Sequence, residues 1–336
     1  MSDSSGSALT ATLLVLGLLI ASCAGSSDSA GLIVAEPVLL SRLVAFPEGL
    51  PDKLGPTTIH AVGDLLAHES VAGADGALQL SGTNDLLVGD GLTIANLECP
   101  ASAAGVEQAT VSFTCDPKLL ADLTSGGIDV VSLANDRSVG RGRTALVETL
   151  ENAEQAGLAV VGAGRNADEA YTPTFVEFDG WRVAVLGFTA IGSLFARVDL
   201  PGTAPVEKTK RVAEAIAAAK ADSDLVIVTV HWGRPLDRDP EERDRAYADA
   251  LVEAGADIIF GHGPHRLQSF ALVGDRPVFW SLGHFIWPQA EPADSDSAIA
   301  RIEIAIDGTI SACLLPVTIA VSGAPTLDRP ATSCSQ

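Results

Sequence analysis

Polar residues with the donor types of a divalent-metal site stand at widely separated points of this chain. They are Asp64 after IHAVG, Asn96 and Glu98 after LTIA, Asn135 and Asp136 after VVSLA, His231 after VIVTV, His262 and His265 in GHGPH after DIIF, and His284 after VFWSLG. Carboxylate oxygen combined with imidazole nitrogen suits Mn, Fe or Zn better than Ca alone. Each residue taken singly has a plainer reading. GHGPH is a tight Gly-Pro loop, Asp64 fits a Gly-Asp turn, Asn135-Asp136 fits an Asx turn, Glu98 fits a solvated loop acid, and His231 fits a core histidine bonded to a backbone carbonyl. What lifts the set above those readings is recurrence: every member follows a short apolar run, and in an α/β sheet functional groups collect at the carboxyl ends of strands.

The elements that must position them are legible as alternating strands and helices. TTIHAVGD, GLTIANLE, IDVVSLAND, LAVVGAG, DLVIVTVHWG and DIIFGH read as strands, whereas DPKLLADLTSGG, RTALVETLENAEQAG, VEKTKRVAEAIAAAKA and EERDRAYADALVEAGA carry helical spacing. Three further pairs read as hairpins: TFVEFDGWRVAVLGF turning at Asp179-Gly180, RLQSFALVGDRPVFWSLG, and ARIEIAIDGTISACLLPV turning at Asp307-Gly308. βαβ units imply parallel strands and hairpins add antiparallel ones, so the expected fold class is α/β, a mixed-sheet sandwich rather than a plain Rossmann sheet.

With 336 residues, 47% of them hydrophobic, the chain can bury a large core. A net charge of -22 and a pI near 4.4 argue against nucleic acid or an anionic membrane surface as partner. An anionic substrate then needs local help from arginine or a metal. The N-terminal ALTATLLVLGLLIASC has the apolar core and small-residue end of a secretory signal. Its Ile20, Ala21, Ser22 and Cys23 resemble a bacterial lipobox with Cys23 as the lipidated residue, although Asp3 and the lack of Lys or Arg before the apolar run are atypical. An uncleaved anchor is the alternative, and both readings place the body outside the cytoplasm. There thiols tend to pair: Cys99, Cys115, Cys313 and Cys334 allow three pairings, of which Cys99 with Cys115 and Cys313 with Cys334 is the local one. The expected organisation is a signal peptide over 1–22, a lipidated tether and linker over 23–55, one domain over 56–322, and a tail over 323–336.

AVGD, IANLE, VSLAND, VTVHWG, GADIIFGHGPH and VFWSLGHF, in that order, resemble the CapA family of poly-gamma-glutamate capsule synthesis proteins over about residues 57–288. The resemblance implies a four-layer αββα sandwich similar to calcineurin-like metallophosphatases. It implies Asp64, Glu98, Asp136, His231, His262 and His265 as ligands of one or two divalent ions; Asn96, Asn135, Arg137 and Arg266 of this chain are then expected toward the substrate. It also implies a role in synthesis or handling of an anionic envelope polymer and a membrane complex of capsule synthesis as partner, while the lipobox-like Cys23 implies attachment to the bacterial cell membrane through the lipid. The alternatives are a metal-dependent hydrolase of a phosphoester or amide, and a non-catalytic polymer-binding subunit.

This chain departs from the family pattern at defined points. Asn-Asn-His becomes Asn135-Asp136-Arg137, GHHPH has Gly263 at its second histidine, SLGNF has His284 in place of Asn, and the acid often found after HWG is Pro235. A guanidinium stays charged above about pH 12 and cannot serve as a general acid, yet it binds phosphate or carboxylate through a fork of donors. His284 or His68 then become the candidate proton donors, and Arg137, Arg141, Arg143 and Arg266 a local positive rim.

Overall fold

In the computed structural model the described residues are 38–40, 55–106, 113–288, 296–306, 309–328 and 334. The apolar leader, Cys23 and the Asp307-Gly308 turn lie outside them. A first sheet joins β1 (Val38–Leu40), β16 (Ile310–Ile319), β15 (Asp296–Ile304), β2 (Thr57–Leu65), β3 (Leu92–Leu97), β4 (Val130–Ser132) and β5 (Ala159–Val161) in that spatial order, with β14 (His284–Ile286) on β2 and β17 (Pro325–Leu327) on β16. A second sheet runs β12 (Phe270–Val273), β13 (Arg276–Phe279), β11 (Ile258–His262), β10 (Leu225–His231), β8 (Trp181–Thr189) and β7 (Thr174–Phe178). A short ladder pairs β6 (Ala163–Gly164) with β9 (Gly202–Thr203). Both sheets are mixed: β2 to β5 are parallel, as are β8, β10, β11 and β13, while the hairpins β7–β8, β12–β13 and β15–β16 are antiparallel.

Period-two alternation divides each strand between two apolar layers. Val183 and Val185 of β8, Ile227 of β10, Ile258 and Phe260 of β11, and Ile59, Ile94 and Ile302 of the first sheet form one buried layer between the sheets. The opposite face of the second sheet, with Ala184, Leu186, Val226 and Val228, packs under α4 (Ala167–Tyr171), α5 (Thr209–Ala221) and α6 (Glu242–Ala254). The outer face of the first sheet covers itself with α1 (Asn84–Leu87), α2 (Leu120–Ser125) and α3 (Arg143–Gln155). The layers are therefore αββα, as the family resemblance implies.

Local chemistry explains most boundaries. α6 begins where the Asp244 carboxylate accepts from the Glu241 backbone N–H and ends at Gly255, whose φ of 116° only glycine tolerates well. The β7–β8 turn has Asp179 at φ 51° and Gly180 at 83°, the double positive φ of a tight hairpin. α2 is shorter than its apolar pattern suggests, because residues 117–119 take a 3-10 turn and the Gly126-Gly127 pair stops the helix. The local disulfides are both present, Cys99–Cys115 and Cys313–Cys334, with Cα separations of 5.5 and 5.6 Å. The stretch beyond 322 carries β17 and Cys334, so it is tied to β16 by pairing and by a covalent bond.

Candidate metal centre

The site forms where the carboxyl ends of both sheets meet in the inner layer. In β3, Leu92 and Ile94 face the inter-sheet core, so Asn96 continues on that face and Glu98 follows two residues later. His231 extends the inward series of Leu225 and Ile227, and His262 that of Ile258 and Phe260. Register makes His231 and His262 direct partners across β10–β11. Asp64 arrives by a different device. A register shift between Ala61 and Asp64 puts three residues of β2 against two of β3, so Leu65 joins the outer layer and Asp64 the inner one. Asp64 then pairs with Asn96 on one side and with His284 of β14 on the other. His265 adopts φ 55°, a conformation few non-glycine residues occupy, which brings its Nδ1 to 2.9 Å from Asp64 Oδ2.

The side chains interlock closely. His262 Nδ1 lies 3.3 Å from Asp64 Oδ1, and His265 Nδ1 lies 3.4 Å from Glu98 Oε2. His231 Nε2 is 3.5 Å from both Glu98 Oε1 and Asp136 Oδ1. Ligand atoms of Asp64, His265 and His284 lie within 4.8 Å of one another, as do those of Glu98, Asp136 and His231. Among the described residues, both Glu98 oxygens and both ring nitrogens of His262 and of His284 are buried without a hydrogen-bond partner. Leaving such groups unpaired costs about 1–3 kcal/mol each, more for a charge. A divalent cation can take the Glu98 carboxylate and one ring nitrogen of an imidazole, its natural donors, so the carboxylates and imidazoles present fit the ion; His262, beside Asp64, falls in neither of the two ligand groups.

Charge follows the same geometry. Burial would raise Asp64, but the imidazoles of His262 and His265 prevail and hold it well below the usual carboxylate range. Burial, reinforced by Asp64 and Asp136, pushes Glu98 well up against the opposing Arg137. For Asp136, His231 and Arg137 outweigh burial and bring its carboxyl to about 2. Burial lowers His231 despite Asp136 beside it, and lowers His284 to about 3.

Several expected roles change on this geometry. Asn96 and Asn135 are positioning residues rather than substrate contacts, because their amides are already engaged. Asn96 Nδ2 donates to Asp64 Oδ1 at 2.8 Å, Asn135 Nδ2 donates to Asn96 Oδ1 at 2.9 Å and to the Leu97 carbonyl at 3.0 Å, and Asn135 Oδ1 accepts from Ser138 N at 2.7 Å. His68 caps a 3-10 turn, its Nδ1 accepting from Ser70 N, and is no member of the cluster. Arg141 donates to the carbonyls of Ala104 and Gly105, and Arg143 to those of Phe195 and Pro201, so both clamp loops instead of forming a rim. Among the described residues, none of the contacts that knit the cluster involves Arg266. His284 lies buried inside the cluster, and burial lowers its ring pKa from 6.5 to about 3. Arg137 does stand at the site. Its Nε is 3.6 Å from Glu98 Oε2, and its guanidinium lies 4.8 Å from the centre of the Phe113 ring and 5.4 Å from that of Trp287. Phe113, Trp287 and Ser138 join the site without standing out in the sequence; for Trp287, its position three residues after His284 is the one signal that could mark it.

Fold and site together define a four-layer αββα sandwich with a buried carboxylate–imidazole centre in the seam between its sheets. Residues 58–289 match the family model described as bacterial capsule synthesis protein PGA_cap, and the chain belongs to that family. It is 35% identical over 212 residues to the capsule biosynthesis protein CapA of Bacillus anthracis, covering 62% of this chain and 51% of that one. It is 32% identical over 205 residues to the PGA biosynthesis protein CapA of Bacillus subtilis strain 168, covering 60% and 53%. The matched region thus spans about half the length of these relatives. Among solved structures, a hypothetical protein from Thermus thermophilus aligns with a TM-score of 0.45 at 16% identity, covering 77% of this chain and 99% of that one.

Proposed function

We propose that this chain is an extracytoplasmic lipoprotein that binds an anionic envelope polymer of the poly-gamma-glutamate type during capsule assembly, using one or two divalent ions held by Asp64, Glu98, Asp136, His231, His262 and His265. The observation that carries the metal is the set of buried Glu98 and His262 atoms that have no hydrogen-bond partner among the described residues. Family membership and the printed names of the two Bacillus relatives support the capsule role. The apolar leader ending at Cys23 supports the lipid anchor, and two disulfides agree with an oxidising compartment. Among the described residues no helix is long and apolar enough to cross a membrane.

A bound divalent ion supplies an electrophile for a phosphoryl or carbonyl oxygen and acidifies water beside it. The protein's own contribution is placement. Arg137, with a quarter of its side chain exposed and its guanidinium close to two rings, offers a carboxylate or phosphate a preset fork at the edge of the centre. Asp136, nearly half exposed, is the ligand nearest solvent. Hydrolysis is the second reading, favoured by the two separate ligand groups. Polymer retention is favoured by Arg137, because a guanidinium is a fork of anion-binding donors and not a general acid.

Elemental mass spectrometry on the full chain, purified in detergent without chelator, tests the metal centre beside a His262→Ala/His265→Ala double variant. We expect one or two transition-metal ions per wild-type chain and their loss from the variant. A wild-type chain that neither retains metal nor can be loaded with it removes the centre. Incubation of the loaded protein with phosphoesters and poly-gamma-glutamate then separates turnover from retention.

A further inference from the structure

His284 is where this chain carries an imidazole in place of the family's amide, and three features of its surroundings bear on why. First, β14 pairs His284 directly with Asp64. The strands approach so closely that a Cβ on Gly63 would lie 2.1 Å from the Gly283 carbonyl oxygen, so the spacing of the two functional side chains is set by backbone. Second, the ring lies flat on Trp287, with 4.2 Å between centroids and 4° between planes, and it also stacks near His265 at 5.2 Å. That restricts rotation about χ2. Third, the residue is only 6% exposed, yet neither ring nitrogen has a hydrogen-bond partner among the described residues. A structural histidine at such depth holds at least one protein acceptor or donor. His60, in the same strand as Asp64, does so through Arg301 at 2.8 Å.

We propose that His284 is a metal ligand, joining Asp64 and His265 on one side of the centre while Glu98, Asp136 and His231 form the other. The inference rests on the metal-centre reading above and adds an asymmetry to it. The His284 side offers two imidazoles and one carboxylate; the Glu98 side offers one imidazole and two carboxylates. Nitrogen-rich donors favour Zn or Fe(II), and oxygen-rich donors accept Mn or Mg more readily. The two sides therefore differ in the metal they prefer, and position 284 sets that difference.

The test compares the full chain with His284→Asn, which restores the family residue, and His284→Gln, each stripped of metal and titrated separately with zinc and manganese. Circular dichroism and Tm confirm folding of the variants. We expect the tighter zinc site to weaken by at least about tenfold in both variants, since even partners of ligands typically count for 10–100-fold, while manganese affinity changes by less than about threefold. Zinc affinity equal to wild type in folded variants overturns the assignment. A measurement independent of the variants is anomalous diffraction from zinc-loaded wild-type crystals. A zinc ion within about 2.0–2.3 Å of a His284 nitrogen supports the proposal, and one beyond bonding range overturns it. If wild type binds no zinc at all, the metal centre itself fails; if zinc binds away from His284, only the present inference fails.

Discussion

Arg137 shows how one residue type redirects a site. At this position an imidazole would titrate near neutral pH, whereas a guanidinium is permanently charged and presents parallel donors. Its neighbours suit the second role: Glu98 draws it toward the centre, and its guanidinium lies over the Phe113 and Trp287 rings. Arg137→Ala is expected to weaken binding of a glutamate oligomer by about tenfold, near the 1.5–3 kcal/mol range of a charged hydrogen bond. Arg137→Lys should recover little, because an ammonium lacks the planar fork. Calorimetric titration at fixed ionic strength decides; equal affinities for all three proteins would remove Arg137 from recognition. At this scale the sequence was informative about residue type and silent about partners. Asn96 and Asn135 stand where substrate contacts are plausible, and only their saturated amides reveal that they hold Asp64 in place.

Among the elements, β2 joins the site to the rest of the first sheet, and a buried titratable group reports on it. His60 pairs with Arg301 of β15 in register, and its Nε2 accepts from Arg301 Nη1 at 2.8 Å, which requires a neutral ring. Arg301 also reaches Asp90 and Glu303, both at 2.8 Å. Burial first, and then the Arg301 charge, lower the His60 pKa from 6.5 to about 4. Above pH 6.5 the ring is neutral folded and unfolded, and its contribution is fully present. As pH falls from 6.5 toward 4 the unfolded chain takes up the proton first, so stability is lost, by at most about 3 kcal/mol. His60→Gln keeps an acceptor for Arg301 without the titration. Its unfolding free energy should fall less than that of wild type between pH 7 and 4.5 in urea titrations. Parallel pH curves for the two proteins would show that His60 is not the linked group.

For the whole molecule, the disulfide from Cys313 in β16 to Cys334 fastens the last described residue to the first sheet. The bond closes a loop of 21 residues, and Cys334 N also donates to Glu303 Oε1 at 3.2 Å. Chain-entropy arguments put such a bond at about 3 kcal/mol. Replacing both cysteines by serine should lower the unfolding free energy by about 2–4 kcal/mol with the metal centre intact, because Cys313 lies on the outer layer and the site in the inner one. Metal content measured together with stability checks both halves of the statement; a loss of metal at unchanged stability contradicts it. The charge of -22 acts at the same scale. It opposes approach of a polyanion, which leaves capture to short-range donors at the seam.

Hydrophobic period and turn chemistry are local, so the order of residues was enough to define the elements, the mixed-sheet class and the ligand-type residues at the strand ends. It also carried the i, i+2 relation that puts Asn96 and Glu98 on one face. Three matters arose only in three dimensions. The bulge in β2 turns Asp64 into the inner layer, and a shift of one residue is invisible to a pattern that continues on either side of it. The register of β14 on β2 brings His284 beside Asp64 across 220 positions of chain, counted from the two residue numbers. The meeting of two separate sheets places His231, His262 and His265 against the carboxylates of the first, and no local preference encodes how two sheets face each other. That depends on the buried layer they share, which only the assembled molecule possesses.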